Sequence, residues 1–469
     1  MRLPILFLLL SSVSACSLVP PLETPAPPVP VAFPDHEAVP AEASAAGLSR
    51  AAVFRDPRLL WIIDLALENN RDLRLALLDV EAARALNRVQ TATALPGLDA
   101  QASYSRERTQ GLGEGQPATA DRHGASIGLT AFELDLFGRV RAVSDAAFAR
   151  YLASEEGYRA ARVTLIGAVA DAYFAERLAV EQHALSQRTL ADWRGSLALA
   201  RVLQQSGRGG ALDVVRAEAQ VASAEADLRA RDRAAAQAAN ALRLVVGAEV
   251  PADLPPPLAL EHDPVVTRLP AGLPSDLLLN RPDIRQAERT LAAANADMGA
   301  ARAAFFPRLS LTAAFGFASP SLTALFSSQH SVWNVSPGIV LPIFDGGRRD
   351  AELDLAKVRK TEAVAQYEKA IQTAFREVAD GLAGSATLGA QIEAQTRTVS
   401  ESARAVALAE TRYRAGLESR LELLDAQRQL QAAQQALLTL RHDEIANAVA
   451  LYKALGGGAA GETRTEPKP

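Results

Sequence analysis

Arg308-Leu309-Ser310-Leu311-Thr312-Ala313-Ala314-Phe315-Gly316-Phe317 is the stretch on which the fold turns. Leu309, Leu311, Ala313, Phe315 and Phe317 alternate with Ser310, Thr312, Ala314 and Gly316, so an extended chain carries one greasy face and one small, polar face. Trp333, Val335, Ile339, Leu341 and Ile343 keep the same two-residue period against Asn334, Ser336 and Gly338. Weaker counterparts lie earlier, at Ala100, Ala102 and Tyr104 and at Ile127, Leu129 and Ala131. These runs predict four strands in two hairpins, spanning about residues 98–134 and 308–344. Two environments suit them: the apolar face is core in a soluble sandwich, or it meets lipid in a membrane barrel. Strands of about ten residues with a polar second face fit the barrel.

Four strands cannot close in lipid, and an open edge there leaves backbone groups unpaired at several kcal/mol each. The strands must then be pooled between chains. About eight strands from two copies enclose a space that side chains fill, whereas twelve from three leave room for a channel. A conduit therefore calls for a trimer.

Each strand pair opens into a helical pattern with few breakers, over about Arg139 to Ser206 and Arg348 to Ala415. At 1.5 Å per residue, ~65 residues make a rod of about 100 Å. The rods turn at Gly207 and Gly416 and return. In the second return helix Leu423, Leu430 and Leu437 stand seven apart, and the seam drifts on to Ile445 and Tyr452, which is coiled-coil-like packing. The two halves are copies: Gly207 matches Gly416, Leu212 matches Leu421, and Val169-Ala170-Asp171 matches Val378-Ala379-Asp380, all at one shift of 209 (416 − 207). Asp72 with Asp283 and Pro96 with Pro307 keep a shift of 211 (283 − 72), so a two-residue difference falls between Pro96 and Val169. The fold expected is mixed α/β and mostly α, a tandem duplication with four strands and long helices per chain. Residues 56–250 form the first repeat, a Pro-rich linker occupies 251–275, the second repeat covers 276–458, and 459–469 is a polar tail.

The chain begins with Arg2, an apolar stretch from Leu3 to Leu10 and small residues up to Ala15, which reads as a secretory signal over residues 1–15. Two readings of the next residue are open: ordinary cleavage after Ala15, or a lipobox, Val13-Ser14-Ala15-Cys16, in which Cys16 is acylated. Cys16 is the sole cysteine of 469 residues, which favours the lipobox and excludes disulfide frameworks and cysteine-rich metal sites. Eight prolines between Pro20 and Pro40 make residues 16–55 a lipidated start followed by an extended tether.

The chain carries 49 Lys and Arg against 54 Asp and Glu, and a net charge of −5 gives no footprint for nucleic acid. His36, His123, His183, His262, His330 and His442 lack metal-ligand spacing, no glycine stretch continues into a phosphate loop, and no Gly-x-Ser-x-Gly elbow occurs. No cofactor, metal or catalysis is expected, and the driving energy must come from elsewhere.

Several segments in order resemble the TolC-like outer-membrane factors, lipoprotein branch, of resistance-nodulation-division tripartite efflux systems. They are the lipobox, Ala66-Leu67-Glu68-Asn69-Asn70-Arg71-Asp72-Leu73, Leu279-Asn280-Arg281-Pro282-Asp283-Ile284, Phe132-Glu133-Leu134-Asp135-Leu136-Phe137-Gly138-Arg139, Leu341-Pro342-Ile343-Phe344-Asp345-Gly346-Gly347-Arg348, Tyr413-Arg414-Ala415-Gly416 and Leu423-Leu424-Asp425-Ala426-Gln427-Arg428. The resemblance spans about Asp56 to Gly458. It implies a homotrimer whose strands form a twelve-stranded barrel in the outer membrane, continuous with a periplasmic α-helical tunnel. It also implies a periplasmic gate near the helix turns. Carried over by motif position, Leu421 is an apolar constriction, and Asp425 and Arg428 are polar gate residues, with Asp425 pairing to a basic residue on a neighbouring helix. The bland reading of Asp425 is a solvated carboxylate. The first half has Leu212, Arg216 and Ala219 at the matching positions. The implied partners are outer-membrane lipid, a periplasmic adaptor at the helix tips by Gly207 and Gly416, and an inner-membrane pump. The function expected is a passive duct for drugs or other small molecules. Alternatives are a duct for type I protein secretion and, in another class, a periplasmic coiled-coil adaptor or scaffold without a pore.

Overall fold

The computed structural model describes residues 17–33, 49–109, 118–269 and 281–457. After one helical turn at Arg50–Val53 come α1 (Pro57–Asn69), α2 (Arg71–Ala92), β1 (Asp99–Thr109), β2 (Ala118–Leu134), α3 (Arg139–Gln205) and α4 (Ala211–Val246). The second half follows with α5 (Pro282–Ala303), β3 (Arg308–Ser319), β4 (Ser331–Val340), α6 (Arg348–Arg414) and α7 (Arg420–Ala454). The duplication is visible in element lengths. Helices α2 and α5 are both 22 residues, α3 and α6 both 67.

Two compact units emerge, and each draws on both halves of the duplication. One contains Asp79–Glu155 and Gln286–Glu368, and hence all four strands. They form one antiparallel sheet in the order β1-β2-β3-β4, which leaves β1 and β4 as its edges. Where β2 joins α3, Arg139 forks onto Glu133 at 2.8 and 2.6 Å, and Phe137 stacks on Phe306 with ring centres 4.9 Å apart. Near the start of α6, Arg349 reaches back to Asp345 at 2.6 Å and lies over the Phe305 ring. Residues 17–33 have no helix or strand, yet they are not free. Val19 lies over Gly299, whose missing side chain makes room for it, and Asn295 donates to the Pro20 carbonyl at 2.8 Å.

The other unit comprises Pro27–Leu78, Glu156–Arg285 and Lys369–Pro469. Its centre is Asp56, fully buried at the start of α1. The Asp56 carboxylate accepts from the Arg58 amide at 2.9 Å, capping α1, and from the Tyr173 hydroxyl at 2.6 Å and the Leu258 amide at 3.1 Å. Those last two contacts fasten α3 and the segment between the repeats to the same point. Phe54, Leu59, Ile62, Ile63, Val169, Phe174, Val265, Leu451 and Tyr452 complete an apolar core around it. Residues 251–269 are therefore packed structure, with Leu260, Val265 and Leu269 buried. Phe33 is buried too, stacked on Phe375 at 5.0 Å.

Candidate functional site

The two faces of the sheet differ. Across it, Ile127, Phe315 and Trp333 are direct neighbours in one row, Leu129, Ala313 and Val335 in the next, and Leu309 with Ile339 further along. All of these point to one side, and Ile127, Phe315, Trp333, Val335 and Ile339 are each more than half exposed in the chain. The other side is small and polar: Ser126 beside Gly316, Gly128 beside Ala314 and Asn334, Thr312 beside Ser336, and Ser310 beside Gly338. A band of exposed apolar side chains opposite a polar face is the pattern of a strand between lipid and water. Among the described residues no helix is long and apolar enough to cross a membrane.

The sequence pattern misplaces one residue. Ala131, read as continuing the apolar alternation, instead sits in a bulge with φ of 52°, its amide donating to Thr312 Oγ1 at 3.0 Å. The extra residue shifts β2 by one position between Leu129 and Phe132, so the apolar row continues through Phe132 opposite Leu311 and Leu134 opposite Leu309. Without the bulge those side chains would turn to the polar face.

The second part of the site is where the long helices turn. Gly207 and Gly416 have φ of 70° and 74°. At each turn two amides reach back, Gly207 to Gln204 and Arg208 to Leu203, and Gly416 to Tyr413 and Leu417 to Arg412. This is one helix-ending motif used twice, and only glycine adopts its left-handed residue without strain. Helix α7 restarts behind Ser419, whose hydroxyl accepts from the Glu422 amide at 3.4 Å.

Leu421, Asp425 and Arg428 follow at helical spacing and share one exposed stripe of α7, with Leu421 55% exposed. Within the chain the Asp425 carboxylate accepts from Gln429 Nε2 of its own helix at 2.7 Å, not from a basic residue of a neighbouring helix as the resemblance implies. Leu212 and Arg216, the first-half counterparts, are exposed on α4. Cys16 lies outside the described residues.

The opposite face of α7 holds a residue that the motif reading missed. Arg420 is 3% exposed, on the same buried stripe as Leu423 and Leu424. Its Nη2 donates to the backbone carbonyl and the hydroxyl of Ser196 on α3, at 3.1 and 3.0 Å, and its guanidinium lies over the Tyr413 ring of α6 at 5.6 Å. Nε and Nη1 are shielded and lack hydrogen-bond partners. Local pattern shows only that an arginine stands three residues before Leu423, where the apolar stripe calls for a hydrophobe; its acceptor, Ser196, is 224 residues away.

Residues 62–248 and 273–457 both match the family model described as outer membrane efflux protein. Among curated proteins the chain is similar to the solvent efflux pump outer membrane protein SrpC of Pseudomonas putida, with 46% identity covering 97% of this chain and 98% of that one. It is also similar to the outer membrane protein OprJ of Pseudomonas aeruginosa, with 41% identity covering 95% and 94%. Among solved structures, the open state of the Neisseria gonorrhoeae MtrE outer membrane channel superposes with a TM-score of 0.87 at 39% identity, covering 96% of this chain and all of that one.

Proposed function

The chain belongs to the outer membrane efflux protein family and is an outer-membrane component of an efflux system, and on that premise we propose that three copies of it close a single passive duct. The two-faced sheet with unpaired edges carries this reading. Strands β1 and β4 of one copy pair with those of its neighbours, giving a twelve-stranded barrel whose polar face lines the bore. The bands of Phe315, Trp333 and Ile339 then meet lipid, which resolves their exposure in one chain. Acylation of Cys16 adds an anchor, since each buried methylene contributes about 0.8 kcal/mol.

Leu421, Asp425 and Arg428 gate the inner end. Around a threefold axis their exposed stripe faces the copies beside it, so Leu421 forms a dewetting ring while Asp425 takes its cationic partner from another chain. A periplasmic adaptor docks by the turns at Gly207 and Gly416, and a resistance-nodulation-division pump in the inner membrane supplies the energy. The cargo is small and apolar. Relatives named for solvent, toluene and antibiotic efflux support that class. The test is ion conductance of the purified protein in planar bilayers: Asp425→Ala is expected to raise it, and unchanged conductance removes Asp425 from the gate.

A further inference from the structure

We infer that Arg420 is a spring set against the closed gate: a cation held dry and under-bonded while α7 packs on α3, and relieved when the two separate. The inference rests on the gate reading of Leu421, the next residue on the same turn.

The guanidinium has one N–H on Nε and two on Nη1, and none of these finds an acceptor. Both acceptors of Nη2, the carbonyl and hydroxyl of Ser196, are neutral. Of the acidic residues flanking the turn, Glu410 pairs with Arg414, Glu418 with Arg412, and Asp425 accepts from Gln429. A buried cation without a carboxylate loses more in dehydration than two neutral hydrogen bonds and one aromatic face restore. Because Nε and Nη1 are covered, no outside ligand satisfies them while α7 stays in place. What does satisfy them is water, and water reaches them when α7 leaves Ser196. The bond to Ser196 opposes that movement and the dehydrated nitrogens favour it, so the two parts of one side chain act with opposite sign.

Opposite signs make the test sharp. In planar bilayers containing the full-length oligomer, Arg420→Met keeps the packing and removes the dry charge, and is expected to lower the open fraction about tenfold and to raise the thermal stability of the oligomer. Ser196→Ala keeps the charge and the backbone carbonyl but removes the hydroxyl, one of the two acceptors, and is expected to raise the open fraction. An increase with both variants identifies Arg420 as a plain clamp and overturns the inference. So does failure of Arg420→Met to assemble, because burial of the cation would then be stabilising. If Arg420→Met is silent while Asp425→Ala opens the pore, the spring is wrong and the gate stands; if all three are silent, the gate is misplaced and both fall.

Discussion

Phe315 on β3 stands directly opposite Trp333 on β4, and the chain that carries these two aromatic side chains leaves both exposed, at 60% and 76%. Such a pair is worth stabilising energy only if something apolar covers it. In the proposed barrel lipid does so along the whole row, from Ile127 through Phe315 to Trp333.

A charge in that row is therefore expected to be costly. Phe315→Arg should destabilise the assembled barrel by about 2 kcal/mol or more. Asn334→Ser, on the opposite face of the same sheet, should have little effect. Gel mobility of unheated against heated samples from outer-membrane fractions checks this: the arginine variant is expected to lose the heat-sensitive oligomer band, and its retention counts against a lipid-facing row.

Two glycines on the polar face differ in what surrounds them. A methyl on Gly316 would lie 2.2 Å from the Ala125 carbonyl oxygen and 2.6 Å from the Ser126 Cα, both backbone atoms of β2. On Gly338 it would meet only the Ser310 hydroxyl, at 3.2 Å. Gly316→Ala is thus expected to break the β2–β3 pairing and reduce assembled protein, while Gly338→Ala assembles normally. Equal yields would mean that the strands do not approach so closely.

Asp56 ties three segments together, and removing its carboxylate strands three donors. Asp56→Ala should cost about 3 kcal/mol, and Asp56→Asn less because one oxygen remains. Thermal melting of the oligomer measures both.

The same contact sets an alkaline limit. Burial first, and then the hydrogen bond to Asp56, push the Tyr173 phenol well above its ordinary value. A raised pKa in the folded state stabilises fully below the unfolded pKa of about 10 and progressively less above it. Melting temperature is expected to be insensitive to this group up to about pH 10 and to fall beyond, and Tyr173→Phe should remove that part of the fall.

At the helix turns the cost is backbone strain alone, because nothing lies within 4 Å of a methyl built on Gly207 or Gly416. Either glycine changed to alanine should destabilise the local turn by about 1 kcal/mol through its left-handed φ. Faster amide hydrogen exchange at the ends of α3 or α6 is the expected readout, and unchanged exchange would argue against the turn geometry.

Much of this architecture can be read from local pattern. The alternation from Leu309 to Phe317, the repeated glycine turns and the seam through Leu423, Leu430, Leu437, Ile445 and Tyr452 are near-neighbour signals; α7 buries four of those five residues and leaves Leu430 half-buried. Three features escape such reading because their causes lie far along the chain. The bulge at Ala131 depends on what β3 presents to β2, with Thr312 accepting its amide from 181 residues away. The segment between the repeats looks like a loose linker from its prolines, but Asp56 takes up the Leu258 amide across 202 residues. Arg420 meets Ser196 at a separation of 224, and nothing around Ser196 marks it as an acceptor. Leu421, Asp425 and Arg428, the proposed gate residues, were legible only as positions on one exposed stripe of α7.

The mass of the detergent-solubilised particle, by native mass spectrometry, bears most directly on whether one chain can form the conduit. Three mature chains in one particle, needing detergent and conducting ions in a bilayer, is the predicted result. A water-soluble single chain without conductance would contradict it.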